Sequence, residues 1–362
     1  MDAKIITCHY AYNYGAVLQT YALCDYLNDQ GVNTEVINYR PYYYQGSTKC
    51  KNKLRLLIRK IVRIPDNIKS EKIFYGFLKE HVPMTAEYKD YEALSVANIR
   101  ADIFVAGSDQ IWNFNLPNGL EPAFYLDFAK DYQLIVSYAA SLSTEKLTDK
   151  QILFLRAKLQ KFNFISVRES TGKKLLDSAG IKNVQIVADP VYLLDPKQWE
   201  EMEMCPQYKP KGKYILVYAF NRQKNIFQAA KELARKEGYM VYSVNTFWED
   251  YFQGMDHYYW NCRPEEFLYL IRHAELVATN SFHGLSFALL FNRPVALYEK
   301  DDSGNSRMTD LLDCLKIKSD VCIKKEECLS IKTLPWDRIN EEIEKFRYVS
   351  KQYLERCIGA IH

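Results

Sequence analysis

Between Glu275 and Tyr298 the chain runs Glu-Leu-Val-Ala-Thr-Asn-Ser-Phe-His-Gly, then Leu-Ser-Phe-Ala-Leu-Leu-Phe-Asn-Arg, then Pro-Val-Ala-Leu-Tyr. An apolar run of strand length leads into a small-polar turn. A helix apolar on nearly every face comes next, and then a second short apolar run entered through Pro294. Such a helix belongs between a parallel sheet and another layer. Thr279, Asn280 and Ser281 are all helix-capping residue types. The turn therefore aims free backbone N–H groups and the positive end of a helix dipole into the crevice beyond the strand ends, where an anion is the expected guest. His283 stands in this turn, able to donate a proton or to pair with a phosphate or carboxylate, with Ser281 and Gly284 beside it. The plainer reading of His283 is a capping histidine without chemistry.

A chain of 362 residues exceeds what one core usually serves, so two domains are expected. Alternating strand and helix patterns place them at 1–200 and 201–335, with 336–362 as a terminal helix that packs back on the first. A formal net charge of +3 argues against a duplex nucleic-acid binder. The nine cysteines show no C-x-x-C pair and no metal-ligand spacing, which fits thiols in a reducing cytosol and predicts no metal site. The opening apolar run, Lys4 to His9, is too short for a secretion signal, and no apolar run approaches the ~18 residues a membrane span needs.

Taken in order, Lys4–His9 is a first strand, the turn Tyr10–Gly15 comes after it, Ala16–Leu27 is a helix and Thr34–Tyr39 the next strand. This βαβ opening is not a dinucleotide fingerprint, because its turn holds one glycine where three are needed. Gly15 beside Asn13 can still bring the backbone close to a ligand or another loop. Residues 70–80 read as helix. Asp102–Trp112 reads as a buried strand opening into a glycine turn, with Ser108, Asp109 and Gln110 at its mouth. There Asp109 is placed to take a proton from a hydroxyl, or simply to cap the next segment. Phe164–Lys173 repeats strand, polar turn and helix. Arg168 at that strand end is a candidate anion clamp, or a partner for a nearby acid. Asp189-Pro190 and Asp195-Pro196 read as a linker. The second domain restarts with the strand Tyr214–Tyr218, and the polar loop Asp301–Arg307 would bring Asn305 and Arg307 beside the crevice.

One segment stands apart. From Lys49 to Arg63 there are seven basic residues and no acid, while Leu54, Leu57, Ile58, Ile61 and Val62 share a helical face. Such a helix fits weak contact with anionic lipid, and equally a solvated helix packing its stripe on the domain.

The sequence resembles the polysaccharide pyruvyl transferase family. The likeness rests on His9-Tyr-Ala-Tyr-Asn-Tyr-Gly-Ala-Val-Leu-Gln19, Val105-Ala-Gly-Ser-Asp-Gln-Ile-Trp112, Ser166-Val-Arg-Glu169, Asp189-Pro190 and Thr279-Asn-Ser-Phe-His-Gly284, in this order and spacing. The resemblance implies an α/β fold of two Rossmann-like domains facing a cleft, of the glycosyltransferase B type. It implies transfer of a pyruvyl unit from phosphoenolpyruvate to two hydroxyls of a sugar or lipid-linked oligosaccharide, forming a ketal and releasing phosphate, with no cofactor. It also implies a cytoplasmic enzyme, peripheral at the inner membrane face where its acceptor is lipid-linked. The family's phosphoenolpyruvate site has an arginine at the position of Arg168 and a histidine at that of His283. Where some members have a further arginine this chain has Ser281, and where several have a lysine the straight match falls on Ser303, so Lys300 or Arg307 is the expected replacement. A nucleotide-sugar glycosyltransferase and a non-catalytic carbohydrate-binding protein are the competing expectations.

Overall fold

The structure is a computed structural model, and it describes residues 1–42, 62–130, 133–220, 224–247, 253–298, 306–323 and 329–360. Most of the basic segment, together with Lys300 and Asn305, lies outside the described residues.

The first half is built on parallel strands β1 (Asp2–Ile6), β2 (Asn33–Val36), β3 (Ile103–Ala106) and β4 (Leu134–Ser137), in the order β2-β1-β3-β4. Beyond β4 lie β5 (Ile165–Val167) and β6 (Val184–Ile186), a parallel pair joined to the sheet through bridges Val136 to Phe164 and Ala140 to Val167. The second half carries β7 (Tyr214–Tyr218), β8 (Met240–Asn245), β9 (His257–Trp260), β10 (Leu276–Thr279), β11 (Val295–Tyr298) and β12 (Cys322–Ile323), in the order β12-β11-β10-β7-β8-β9. Every pairing within it is parallel. The strands are short and almost wholly buried, as expected where helices cover both faces of a parallel sheet.

Eight helices of eight or more residues are described: α1 (Tyr14–Asp29), α2 (Asp149–Leu159), α3 (Ser170–Ser178), α4 (Lys224–Glu237), α5 (Pro264–Arg272), α6 (Phe282–Leu290), α7 (Ser306–Cys314) and α8 (Trp336–Gly359). Their starts are legible in local chemistry. Asn13 Oδ1 accepts from Gly15 N at 2.8 Å to cap α1, Thr148 and Gln151 form a reciprocal capping box on α2, and Ser281 Oγ accepts from Gly284 N at 3.4 Å on α6. Helix α6 is buried along its whole length, because it lies between the second sheet and the first half.

One core runs through both halves. Tyr14 on α1 stacks on Phe267 of α5, with ring centroids 4.4 Å apart, and meets Tyr218 edge-on at 5.8 Å. The helical stretch from Ile64 to His81 adds polar ties: Trp260 Nε1 donates to Asp66 Oδ1 at 2.8 Å, and Ser70 Oγ donates to Asn261 Oδ1 at 3.0 Å. Residues 70–80 are helical as expected, although Glu71–Tyr75 winds as a wider π turn. Helix α8 returns to the first half. Its Ser350 Oγ accepts from Ala188 N at 2.8 Å, and its Tyr353 hydroxyl donates to Ser137 O at 2.7 Å. Two sequence readings need correction. Asp189-Pro190 is not an exposed linker but the start of a buried 3₁₀ turn, with Asp189 at 1% exposure. Arg307 lies within a helix, not a polar loop.

Each sheet has a point where the chain reverses its direction of growth: between β1 and β3 in the first, and between β7 and β10 in the second. Turns leaving neighbouring strands at such a point diverge and open a crevice at the carboxyl ends. The turns that carry Asn13 and Gly15, Asp109, and Ser281 to Gly284 leave β1, β3 and β10, so two of these crevices supply the site.

Candidate active site

Two residues singled out in the sequence, Arg168 and His283, meet on one buried carboxylate, that of Asp189. Arg168 comes directly after β5, and its guanidinium donates from Nη1 to Asp189 Oδ2 at 2.5 Å and from Nη2 to Asp109 Oδ1 at 3.2 Å. His283, in the first turn of α6, brings Nε2 to 3.6 Å from the same Asp189 oxygen. Arg307 on α7 reaches Asp109 Oδ1 at 3.7 Å, and the side-chain amide of Gln110 lies against its guanidinium. Phe282 supplies the floor. Arg168 Cζ stands 4.5 Å and Arg307 Cζ 5.9 Å from its ring centroid.

Local backbone explains why these side chains meet. Gly107, at the end of β3, has φ +133°, and a Cβ there would stand 2.0 Å from Tyr138 O, so only glycine lets the chain turn so close to β4. The turn leaves Asp109 at φ 69° with its carboxylate directed at the two arginines. Gly15 lets the two halves approach closely. A Cβ on it would lie 1.9 Å from His283 Nδ1, so the imidazole packs directly on the α1 backbone. Gly284 is required by packing, being pressed against Thr279 and Tyr218.

Electrostatics obey burial and pairing. Burial alone would raise the Asp189 carboxyl, but the adjacent His283 and Arg168 outweigh it and hold the group well below the usual carboxylate range. Burial, then the like charge of Arg168, pulls the Arg307 guanidinium down to about 10. Burial pushes the Glu169 carboxyl up, although its Oε1 accepts from Ser141 Oγ at 2.9 Å and Leu142 N at 3.0 Å. Several buried polar atoms here make no hydrogen bond: Nε of Arg168, Nε of Arg307 and Nε2 of His283. Buried donors without acceptors are costly, and a cluster of them beside a helix N-terminus is the form an anion site takes.

Of the ten residues picked from the sequence, His283, Asp109, Arg168 and Arg307 form this cluster, and Gly15 packs on its histidine. Asn13 and Ser281 spend their side chains on helix caps. Lys300 and Asn305 lie outside the described residues. The residue missed was Asp189, although Asp189-Pro190 was among the motifs behind the family resemblance. Among the described residues, the grouping with metal-ligand spacing is Glu80, His81 and Glu265, where Arg263 already pairs with both carboxylates at 2.9 and 2.5 Å.

The family model described as polysaccharide pyruvyl transferase matches residues 13–301. The chain belongs to the polysaccharide pyruvyl transferase family. As a member it is a pyruvyl transferase-type enzyme. No curated protein matches its sequence. Among solved structures it is similar in fold to a putative UDP-N-acetylglucosamine 2-epimerase from Listeria monocytogenes (TM-score 0.55, 11% identity, 98% of this chain and 89% of that one). It is similar to the UDP-GlcNAc 2-epimerase of Neisseria meningitidis bound to UDP-GlcNAc (0.52, 13%, 99% and 100%). It is also similar to Arabidopsis thaliana UGT89C1 complexed with UDP-L-rhamnose (0.56, 10%, 99% and 98%). At these identities the likeness establishes the fold: this pyruvyl transferase-family chain has the α/β architecture of GT-B-like nucleotide-sugar enzymes over nearly its whole length. No described helix is long and apolar enough to cross a membrane.

Proposed function

We propose that the cleft transfers the pyruvyl unit of phosphoenolpyruvate to two hydroxyls of one sugar, in a surface polysaccharide or its lipid-linked precursor. The observation that carries the reading is the meeting of Arg168, Arg307 and His283, from three separate turns and helices, with their unpartnered nitrogens at the start of α6. In the first step a sugar hydroxyl adds to C2 of the enol phosphate while the methylene carbon gains a proton. His283 is assigned as the donor of that proton, and Asp109 as the acceptor of the hydroxyl proton. In the second step the other hydroxyl attacks C2 and gives its proton to His283, left neutral by the first step, while the C2–O bond to phosphate breaks and inorganic phosphate leaves. The arginines and the N-terminus of α6 offset the charge that develops on it.

Asp109 and Asp189 play different parts in this scheme. Asp189 is wholly buried and held at 2.5 Å, whereas the Asp109 side chain is 15% exposed and its two contacts are longer. An incoming carboxylate or phosphate therefore displaces Asp109 from the arginines, which frees it to serve the acceptor. The first half is assigned to the acceptor and the second to the donor, with Arg168 reaching the donor from the first half. Lys300 and Asn305, outside the described residues, are assigned to donor binding. The protein is placed in the cytoplasm, with residues 49–63 touching anionic lipid weakly where the acceptor is lipid-linked. Ile64 and Ile68, 50% and 67% exposed just after that segment, support the contact.

The test is mass spectrometry of phosphoenolpyruvate with a panel of lipid-linked and nucleotide-linked sugars. A product heavier by pyruvate minus water, with phosphate released, is expected. His283→Asn should lose turnover far more than affinity, and Arg168→Ala should lose affinity. Transfer from a nucleotide sugar with no binding of phosphoenolpyruvate would instead make the protein a glycosyltransferase, and near-normal turnover in His283→Asn would remove that residue as the acid.

A further inference from the structure

Helix α3 begins directly after Arg168 and Glu169, yet its N-cap residue does not cap it. Glu169 occupies the N-cap position but turns its carboxylate away to the loop 141–143. The first turn of α3 carries no acid either. The missing acceptor comes from the other half of the molecule. Asp310 on α7 accepts from Thr171 N at 2.9 Å and from Ser170 Oγ at 3.0 Å through Oδ2, and from Thr171 Oγ1 at 3.4 Å through Oδ1. A carboxylate on the free N–H groups of a helix start is a strong, directional contact.

Arg307 lies three residues before Asp310 on the same helix, so the two side chains leave α7 on neighbouring positions of one face. Asp310 grips the turn just beyond Arg168, while Arg307 reaches the Asp109 carboxylate that Arg168 also holds. One helix of the second half is thus held at two points on the first, one structural and one within the anion cluster. Arg307 has reason to need the support. Burial and the neighbouring Arg168 both disfavour its charge, against the attraction of Asp109, Glu169 and Asp189, and its contact with the Asp109 carboxylate is as long as 3.7 Å.

We propose that Asp310 is a positioning residue: it docks α7 on the N-terminus of α3 and thereby delivers Arg307 to the donor-anion site. Closure of the two halves and completion of that site are then one event. The inference rests on the reading of the cleft as a phosphoenolpyruvate site, but the latch itself can be read without the donor.

The experiment compares the full chain with Asp310→Ala, Arg307→Met and the double variant by calorimetric titration with phosphoenolpyruvate, alongside hydrogen–deuterium exchange of residues 168–178 and 306–314. Asp310 is half-buried at the surface, and circular dichroism checks that its variants stay folded. Each single change should weaken phosphoenolpyruvate binding on the order of tenfold, and the double variant should bind no more weakly than Arg307→Met, because Asp310 acts through Arg307. Asp310→Asn, which keeps one acceptor oxygen, should recover part of the loss. Exchange in both segments should rise in Asp310→Ala without ligand. Additive losses in the double variant, or unchanged exchange, would overturn the latch. Absence of phosphoenolpyruvate binding in the unmodified protein would defeat the proposed donor instead, and the exchange comparison would still decide the latch.

Discussion

Gly15→Ala is the sharpest perturbation the structure offers, because it adds a single methyl group whose consequence can be worked out. The new Cβ would stand 1.9 Å from His283 Nδ1 and 2.1 Å from its Cγ, where an ordinary contact needs about 3.5 Å. The imidazole or the start of α1 must therefore move by roughly 1.5 Å. The ring has little room, since Asp189 stands 3.6 Å from its far nitrogen and Phe282 lies edge-on with centroids 5.2 Å apart. A misplacement of about 1 Å in a reacting group costs on the order of 100-fold in rate, or about 2.7 kcal/mol of barrier. Turnover with phosphoenolpyruvate should fall by at least that factor. The stability effect separates this reasoning from ordinary helix chemistry. Alanine in place of glycine within a helix normally stabilises by about 0.5–1 kcal/mol, whereas overpacking costs about 1–3 kcal/mol, so the melting temperature should drop instead of rise. Steady-state kinetics and thermal unfolding on the same preparation read both. In a His283→Asn background the glycine substitution should cost no further turnover. A Gly15→Ala enzyme within threefold of normal turnover would refute the claim that the seat of the imidazole on α1 matters.

Two further outcomes concern the same cluster. Asp189→Ala strands a buried guanidinium and should destabilise by about 3–5 kcal/mol in urea unfolding. The folded Asp189 carboxyl titrates below the unfolded value of about 3.9, so its contribution is complete above that pH and fades as the pH falls toward the lower folded value; stability curves of wild type and Asp189→Asn should therefore converge in acid. Asp109→Asn should bind phosphoenolpyruvate more tightly, because the internal competitor for Arg168 and Arg307 loses its charge, while turning over more slowly. Weaker binding in a calorimetric titration would show that Asp109 is a strut and not a displaceable counterion.

The legible and illegible parts of this molecule divide along chain distance. The turn after β10 announces itself, because the caps, the histidine and the glycine all lie within six residues. Arg168 is visible in the same way, as a cation where a strand gives way to a helix. The family resemblance ties it to His283, and the structure brings both to one carboxylate. Asp189 was missed because an Asp-Pro pair has strong local meaning as a turn. Its role as a hub appears only once β6 has paired with β5 and α6 has been laid across the first half. The same holds for Asp310, whose partner is 139 residues away. Strand β9 was also overlooked: His-Tyr-Tyr-Trp has no alternation of apolar and polar residues, and pairing with β8 is what makes it a strand. The π turn at Glu71–Tyr75 left no mark in the helical spacing of 70–80.

That division bears on how the enzyme works. Asp109, Arg168 and Asp189 belong to the first half, and His283 and Arg307 to the second. Taken alone, the first half holds two carboxylates around one arginine and would repel an anion. The second brings a histidine and an arginine to the cluster and, among the described residues, no acid; it could attract an anion but not pass a proton from a hydroxyl to a carbon. Only the assembled molecule brings Arg307 and His283 alongside Arg168 at the two carboxylates. Among the contacts between the halves, Gly15 on His283 and Asp310 on Thr171 lie on helices or turns that carry the site. In the reaction proposed above, seating the site between the two halves would also cover an intermediate that water could otherwise capture.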